Sequence, residues 1–179
     1  MGIVGNQFLL GTYAQEKRHQ LSFGKNGWYG FKENILTLEN QLFPDSKLHN
    51  HPSLQINSGA DALVVFFKRL KIEIDKIITD KQLPFDKRYS FSTPANYGLK
   101  EKEFLESYIL QAGFEEGTFA FVEEPVSSLL GTIHQENLAL ELENDLNILV
   151  IDVGAGTVDC CAIHLAKDSD NVIAENLAI

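Results

Sequence analysis

Ile148-Leu149-Val150-Ile151-Asp152-Val153-Gly154-Ala155-Gly156-Thr157-Val158-Asp159 is the stretch whose reading decides the fold. Four consecutive apolar residues, Ile148 to Ile151, predict a strand buried on both faces. The strand hands a carboxylate, Asp152, to its exposed end, and a Gly-Ala-Gly turn follows. Thr157 to Leu165 then reads as a returning strand. Glycines let backbone N–H groups approach and wrap an anion, so Gly154, Ala155, Gly156 and Thr157 make a phosphate-sized cradle. Asp152 and Asp159 flank that turn, where hard oxygen ligands suit a Mg²⁺ ion and its waters. The plain alternative is a hairpin with a glycine turn and two solvated aspartates.

Upstream, strands alternate with helices, which argues for an α/β layer. Asn57 or Ser58 is placed to cap a helix, and Asp61 suits the positive end of its dipole. Leu63, Phe67, Leu70, Ile74 and Ile77 then recur at steps of four and three, a core stripe running to about Lys81, with Pro84 beyond. Tyr89 and Phe91 alternate with Ser90 and Ser92, a half-buried strand that ends at Pro94. A second helix is expected over Leu99–Ala112, closed by Gly113. Phe119–Val122 reads as another strand, and Pro125 as the first residue of a third helix. His134–Asp145 reads as a polar connection, and Val172–Ile179 as a strand.

The first fifty-seven residues carry weaker signals. Gln7–Leu10, Gln20–Phe23 and Trp28–Phe31 read as short strands between glycines, and Phe43–Pro52 as a loop. The expected division is a partial N-terminal subdomain over 1–57 and an α/β core over 58–179.

Composition narrows the function classes. The formal charge is -10, with the 15 basic residues spread along the chain. Nucleic acid and anionic membrane surfaces are therefore not expected partners. An anionic nucleotide remains admissible if local N–H groups and a metal ion receive it. The two cysteines, Cys160 and Cys161, are adjacent and form neither a disulfide framework nor a CxxC pair. If their segment is a strand they point to opposite faces and read as packing residues. With no basic signal-peptide flank and no apolar run near the ~18 residues a span requires, a cytoplasmic protein is expected. His49 and His51, beside Asp45 in a proline-containing loop, lack a clear third ligand and read as surface residues.

Three further segments carry a resemblance. Thr93-Pro94-Ala95-Asn96-Tyr97 leaves a strand for a helix, Gln111-Ala112-Gly113-Phe114 closes that helix, and Glu123-Glu124-Pro125-Val126-Ser127-Ser128 joins a strand to a helix. With Asp152 through Asp159 these resemble, in order and spacing from about Ser58 to Leu165, the nucleotide-binding domain of DnaK-type heat-shock chaperones, in the actin-like ATPase superfamily. The resemblance implies an actin-like (ribonuclease H-like) α/β lobe, a mixed sheet flanked by helices, incomplete here and covering most of a first lobe.

The resemblance also implies ATP or ADP with Mg²⁺ as ligands. Gly154, Ala155, Gly156 and Thr157 would contact phosphates, and Asp152 and Asp159 would organise the Mg²⁺ shell. Glu124 would position or polarise the attacking water. Pro94 would be an allosteric hinge, with Lys102 where the family usually has the arginine that works with it. Lys25 falls near the family's catalytic lysine, with Lys17 as a rival. A longer parent would be the ATPase, carrying a substrate-binding domain, client polypeptides and co-chaperones, and this piece alone would be inactive.

Departures open alternatives. Ala155 stands where the family has a second glycine, Lys102 is not arginine's equal in bidentate contacts, and no first phosphate loop is found. A degenerate nucleotide-binding regulator without hydrolysis, or an actin-like filament-forming ATPase, are the rival readings. A kinase-like relative would need a sugar or acetate site, for which no residues are seen.

Overall fold

The computed structural model describes residues 1–83, 88–135, 145–153, 158–168 and 171–178. The chain divides into two compact units, residues 1–88 with 99–118 and residues 89–98 with 119–179. The border expected at 57/58 instead falls inside the first unit. One apolar cluster spans it, with Trp28, Phe43, Leu48 and Ile56 on one side and Ala62 and Val65 on the other. Burying that cluster requires both sides of the border in the same body.

In the first unit, β1 (Gly2–Val4) pairs antiparallel with β2 (Gln7–Leu9). A short α1 (Gly11–Glu16) follows, then 3-10 turns over Arg18–Gln20 and Lys32–Asn40. Neither expected strand at 20–23 or 28–31 forms. Gln20 lies in a 3-10 turn, Phe23 makes only an isolated bridge with Gly27, and Trp28 is a fully buried core residue. Asn26 organises this region. Its carboxamide accepts from the Ser22 N–H (2.9 Å) and donates to the carbonyls of Ile3 (2.9 Å) and Gln20 (3.0 Å). A side chain satisfies these backbone groups in place of a ladder.

The long helix α2 (Gly59–Asp80) begins as expected. Ser58 Oγ accepts from the Asp61 N–H, and the Asp61 carboxylate accepts from the N–H groups of Asn57 and Ser58. This reciprocal capping box satisfies donors that the helix itself leaves orphaned. The apolar stripe is deep only at its start. Leu63 and Phe67 are buried and Leu70 and Ile74 half-buried, whereas Ile77 is 51% exposed. The helix ends at a left-handed Gln82 (φ 52°), whose N–H reaches the Thr79 carbonyl while that of Leu83 reaches Ile78. This is a Schellman closure without glycine.

Helix α3 (Leu99–Gln111) closes the same way at Gly113 (φ 93°), with Phe114 N–H returning to the Ile109 carbonyl. Here the residue is the one the geometry prefers.

The second unit holds a parallel pair, β3 (Tyr89–Thr93) and β4 (Phe119–Glu123), in the register Tyr89↔Phe119 to Thr93↔Glu123. Helix α4 (Glu124–Gln135) starts directly after β4, with Pro125 second rather than first and fully buried. A three-stranded antiparallel sheet follows, ordered β5 (Leu146–Val153), β6 (Val158–Asp168), β7 (Asn171–Ala178).

Among the described residues the strands form three small sheets, where the resemblance implies a mixed sheet flanked by helices. The α/β character holds, with helices and both parallel and antiparallel strand pairs present. The expectation that β5 is buried on both faces fails. Ile148 and Val150, like α4 residues Leu129, Leu130 and Ile133, pack against the buried cluster of Val126, Cys161, Ile163 and Leu165, while Leu149 and Ile151 are exposed on the other side. One helix covers one face of the sheet, so strict strand alternation decides which residues are buried.

Candidate functional site

Both parallel strands of the second unit end at the same level, because Thr93 is paired with Glu123. Immediately beyond β4 comes the α4 N-terminus, where Glu124 is the first helical residue and half-buried. A carboxylate in the first turn of a helix sits favourably on the positive end of its dipole. The C-terminal edge of parallel strands is also where α/β proteins form ligand crevices. The side of this junction that sequence reading passed over is Thr93. Its side chain is fully buried, and its hydroxyl has no hydrogen-bond partner among the described residues.

The β5–β6 hairpin places Asp152 directly across from Asp159, and Val153 across from Val158. Antiparallel partners lie roughly 4.5–5.5 Å apart at Cα, so the backbones of two acidic residues lie opposite each other on either side of residues 154–157. The Asp152 side chain is exposed. The cradle residues Gly154, Ala155, Gly156 and Thr157 lie outside the described residues, as does the side chain of Asp159. Among the described residues no group of three or more His, Cys, Asp or Glu is arranged to hold a metal ion. Asp152 therefore stands as one acceptor within the described part of the hairpin.

The remaining candidates are distributed. Pro94 is half-buried at the end of β3, its carbonyl accepting from the Tyr97 N–H (3.1 Å) in a turn, and Ala95 beside it is buried. It belongs to the second unit, whereas Lys102, half-buried on α3, belongs to the first. Lys25 is exposed on the Ser22–Gly27 turn of the first unit, where its carbonyl accepts from the Lys47 N–H (2.8 Å). Its rival Lys17 is also exposed, at the end of α1. His49 and His51 stay in their loop, and His51 Nδ1 accepts from the N–H groups of Ser53 and Leu54 (3.3 and 3.0 Å). That is local loop bonding rather than ligation.

Beside the Glu123-Glu124 junction lies a polar chain that sequence reading missed. The Asn176 amide donates to a carboxylate oxygen of Glu123, and the Cys161 thiol donates to the Asn176 carbonyl oxygen (3.0 Å). Cys161 is buried, and Cys160 is exposed on the opposite face, as strand alternation requires. Burial first, then the charge of Glu123 and the neighbouring Cys160, push the Cys161 thiol above its ordinary pKa. Only a partner 53 residues away in sequence reveals this chain, so no local pattern signals it.

No family model, no curated protein and no solved structure matches the chain. Among the described residues no helix is long and apolar enough to cross a membrane.

Proposed function

We propose that the chain forms part of an ATP-binding and ATP-hydrolysing domain of a DnaK-like chaperone, with Mg²⁺ as the bridging ion. The observation that carries this reading is the strand register that sets Asp152 opposite Asp159 on either side of residues 154–157. A strand–turn–strand of this composition receives phosphates on its turn and a hydrated Mg²⁺ on its flanking carboxylates. Glu124, at the junction of β4 and α4, supports the reading as a carboxylate able to orient a water. Phosphoryl transfer is governed mainly by such positioning and by electrostatics. In this reading Pro94 relays nucleotide state toward a client-binding domain in the parent chain, and Lys102 and Lys25 are the basic residues of the system.

Binding is the first readout. Titration calorimetry with ATP, with and without Mg²⁺, is expected to show Mg²⁺-dependent binding. Asp152→Asn should weaken it about tenfold with Mg²⁺ and leave the metal-free signal unchanged, the scale of one charge-assisted contact. Glu124→Ala should leave affinity within about threefold, because a water-orienting group acts on the transition state rather than the ground state. No heat of binding under either condition would sink the nucleotide reading. Nucleotide-dependent pelleting in sedimentation would favour the filament-forming rival.

A further inference from the structure

The outer face of the three-stranded sheet has a shape as well as an apolar character. Strand alternation turns Cys161, Ile163 and Leu165 of β6 inward to the cluster that α4 covers, and so turns Cys160, Ala162 and Ala166 outward. The strands on either side carry large residues at the same surface. Leu149 lies opposite Ala162, Ile151 opposite Cys160 and Ile173 opposite Ala166. Leu177, at the register shift beside Ala162, is exposed with them, and each of these four is at least half exposed. Small residues along the middle and large ones along both sides make a trough. Neighbouring strands lie about 4.8 Å apart, so its walls stand roughly 10 Å from each other. That is about the diameter of one helix with its side chains.

Charge on this face has one sign. Glu175 is exposed on β7 opposite His164, and the Asp145 carboxylate lies 3.8 Å from His164 Nε2. Among the side chains described on β5, β6 and β7 there is no lysine or arginine. A second copy of the chain is a poor occupant. Two such faces brought together set small floor against small floor, which leaves a void between them. They also set carboxylate against carboxylate on chains that each carry a formal charge of -10.

We propose that this trough docks an amphipathic helix of a partner protein, apolar along the stripe that seats on Ala162 and basic along its flanks. A helix supplies the convex surface that the floor of small residues lacks, and its apolar stripe meets Leu149 on one wall and Leu177 on the other. Lysine or arginine on the flank meets Glu175 and Asp145, which steers the partner and fixes its register. The inner face of the sheet is already covered by one helix, α4, so a docked helix completes a three-layer arrangement.

The test uses the 179-residue chain and a labelled peptide of leucine and lysine, about 18 residues long, with its leucines at helical spacing. A helix of that length spans roughly 27 Å, matching the eight-residue strands β5 and β7. Fluorescence anisotropy should show saturable binding, weakened about tenfold by Ala162→Leu, which fills the floor while adding apolar surface. Glu175→Lys should weaken it about fivefold and reduce its salt dependence. A twin peptide with glutamate in place of lysine should bind about tenfold more weakly, and should regain affinity on Glu175→Lys. The two substitutions act independently, and an unchanged melting temperature of each variant shows that its fold is intact.

Binding unchanged or tightened by Ala162→Leu overturns the trough, because general hydrophobic adsorption gains from an added leucine. Equal affinity for the two peptides overturns the basic partner. A wild type that fails to bind the lysine peptide overturns the docking site. A wild type that sediments as a dimer, and is returned to monomer by Ala162→Leu, assigns the face to a second copy and overturns the proposal.

Discussion

The two units bury themselves by different means. The first is built around a large aromatic, Trp28, fully enclosed by residues drawn from the N-terminal turns and α2, with Asn26 satisfying the surrounding backbone. The second lays one helix, α4, over one face of a three-stranded sheet and leaves the other face with Leu149, Ile151, Ile173 and Leu177 each at least half exposed. The first unit depends on an irregular packing solution and the second on strict strand alternation. The candidate carboxylates sit in the second, at strand ends where the ladder hydrogen bonding stops. Scaffold and site thus draw on different parts of the sequence grammar.

The strongest way to break the comparison is Trp28→Ala. It should cost about 3–5 kcal/mol, the range for deleting a fully buried large aromatic, read by urea denaturation. A loss under about 1 kcal/mol would mean that the first unit does not turn on this residue.

Next comes a pair on the two faces of the sheet. Leu165→Ala, on the covered face, should cost about 2–5 kcal/mol. Leu149→Ser, on the exposed face of the neighbouring strand, should stay within about 0.5 kcal/mol of the wild type. Equal losses would show that the outer face is covered in solution.

A smaller effect is expected where α2 ends. Gln82 holds φ at 52°, a conformation that costs a residue with a Cβ and not glycine. Gln82→Gly should therefore stabilise by about 0.5–1 kcal/mol, seen as a higher melting temperature. The matching Gly113→Gln at the end of α3 should destabilise, since that glycine holds φ at 93°.

The smallest effect at neutral pH belongs to Tyr108. It is buried on α3, its hydroxyl without a hydrogen-bond partner among the described residues, and burial followed by the charge of Glu39 raises its pKa above the ordinary 10.0. The unfolded chain loses this proton first, so its contribution is fully present below pH 10.0 and is lost as pH rises toward the folded-state value. Tyr108→Phe should be nearly neutral at pH 7 and should flatten the alkaline arm of the stability curve. An unchanged alkaline arm would assign that loss to other groups.

Where a signal was local, the sequence reading held. Asn57 or Ser58 was expected to cap α2 with Asp61 in its first turn, and Ser58 is the cap, joined to Asp61 in a capping box. Gly113 marked the end of α3, and the Tyr89–Ser92 and Phe119–Val122 strands formed within a residue of their expected ends. Where the deciding partner was distant, reading failed. Trp28 among glycines resembled a strand segment, because nothing nearby shows that Phe43, Leu48 and Ala62 will enclose it. The apolar run Ile148–Ile151 resembled a doubly buried strand, because hydrophobicity alone does not reveal how many helices cover a sheet.

By itself the sequence determined the α/β character, the start and approximate end of α2, the glycine that closes α3, and the strands that lead to Asp152, Glu123 and the Pro94 turn. Each follows from dihedral preference, hydrogen-bond satisfaction or periodicity within a few residues. Tertiary structure alone decided that the described strands divide among three sheets, that residues 1–56 share a core with α2, and that Asn176 reaches Glu123. These outcomes depend on contacts closed over tens of residues, where each pairing competes with many others and the total buried area selects among them.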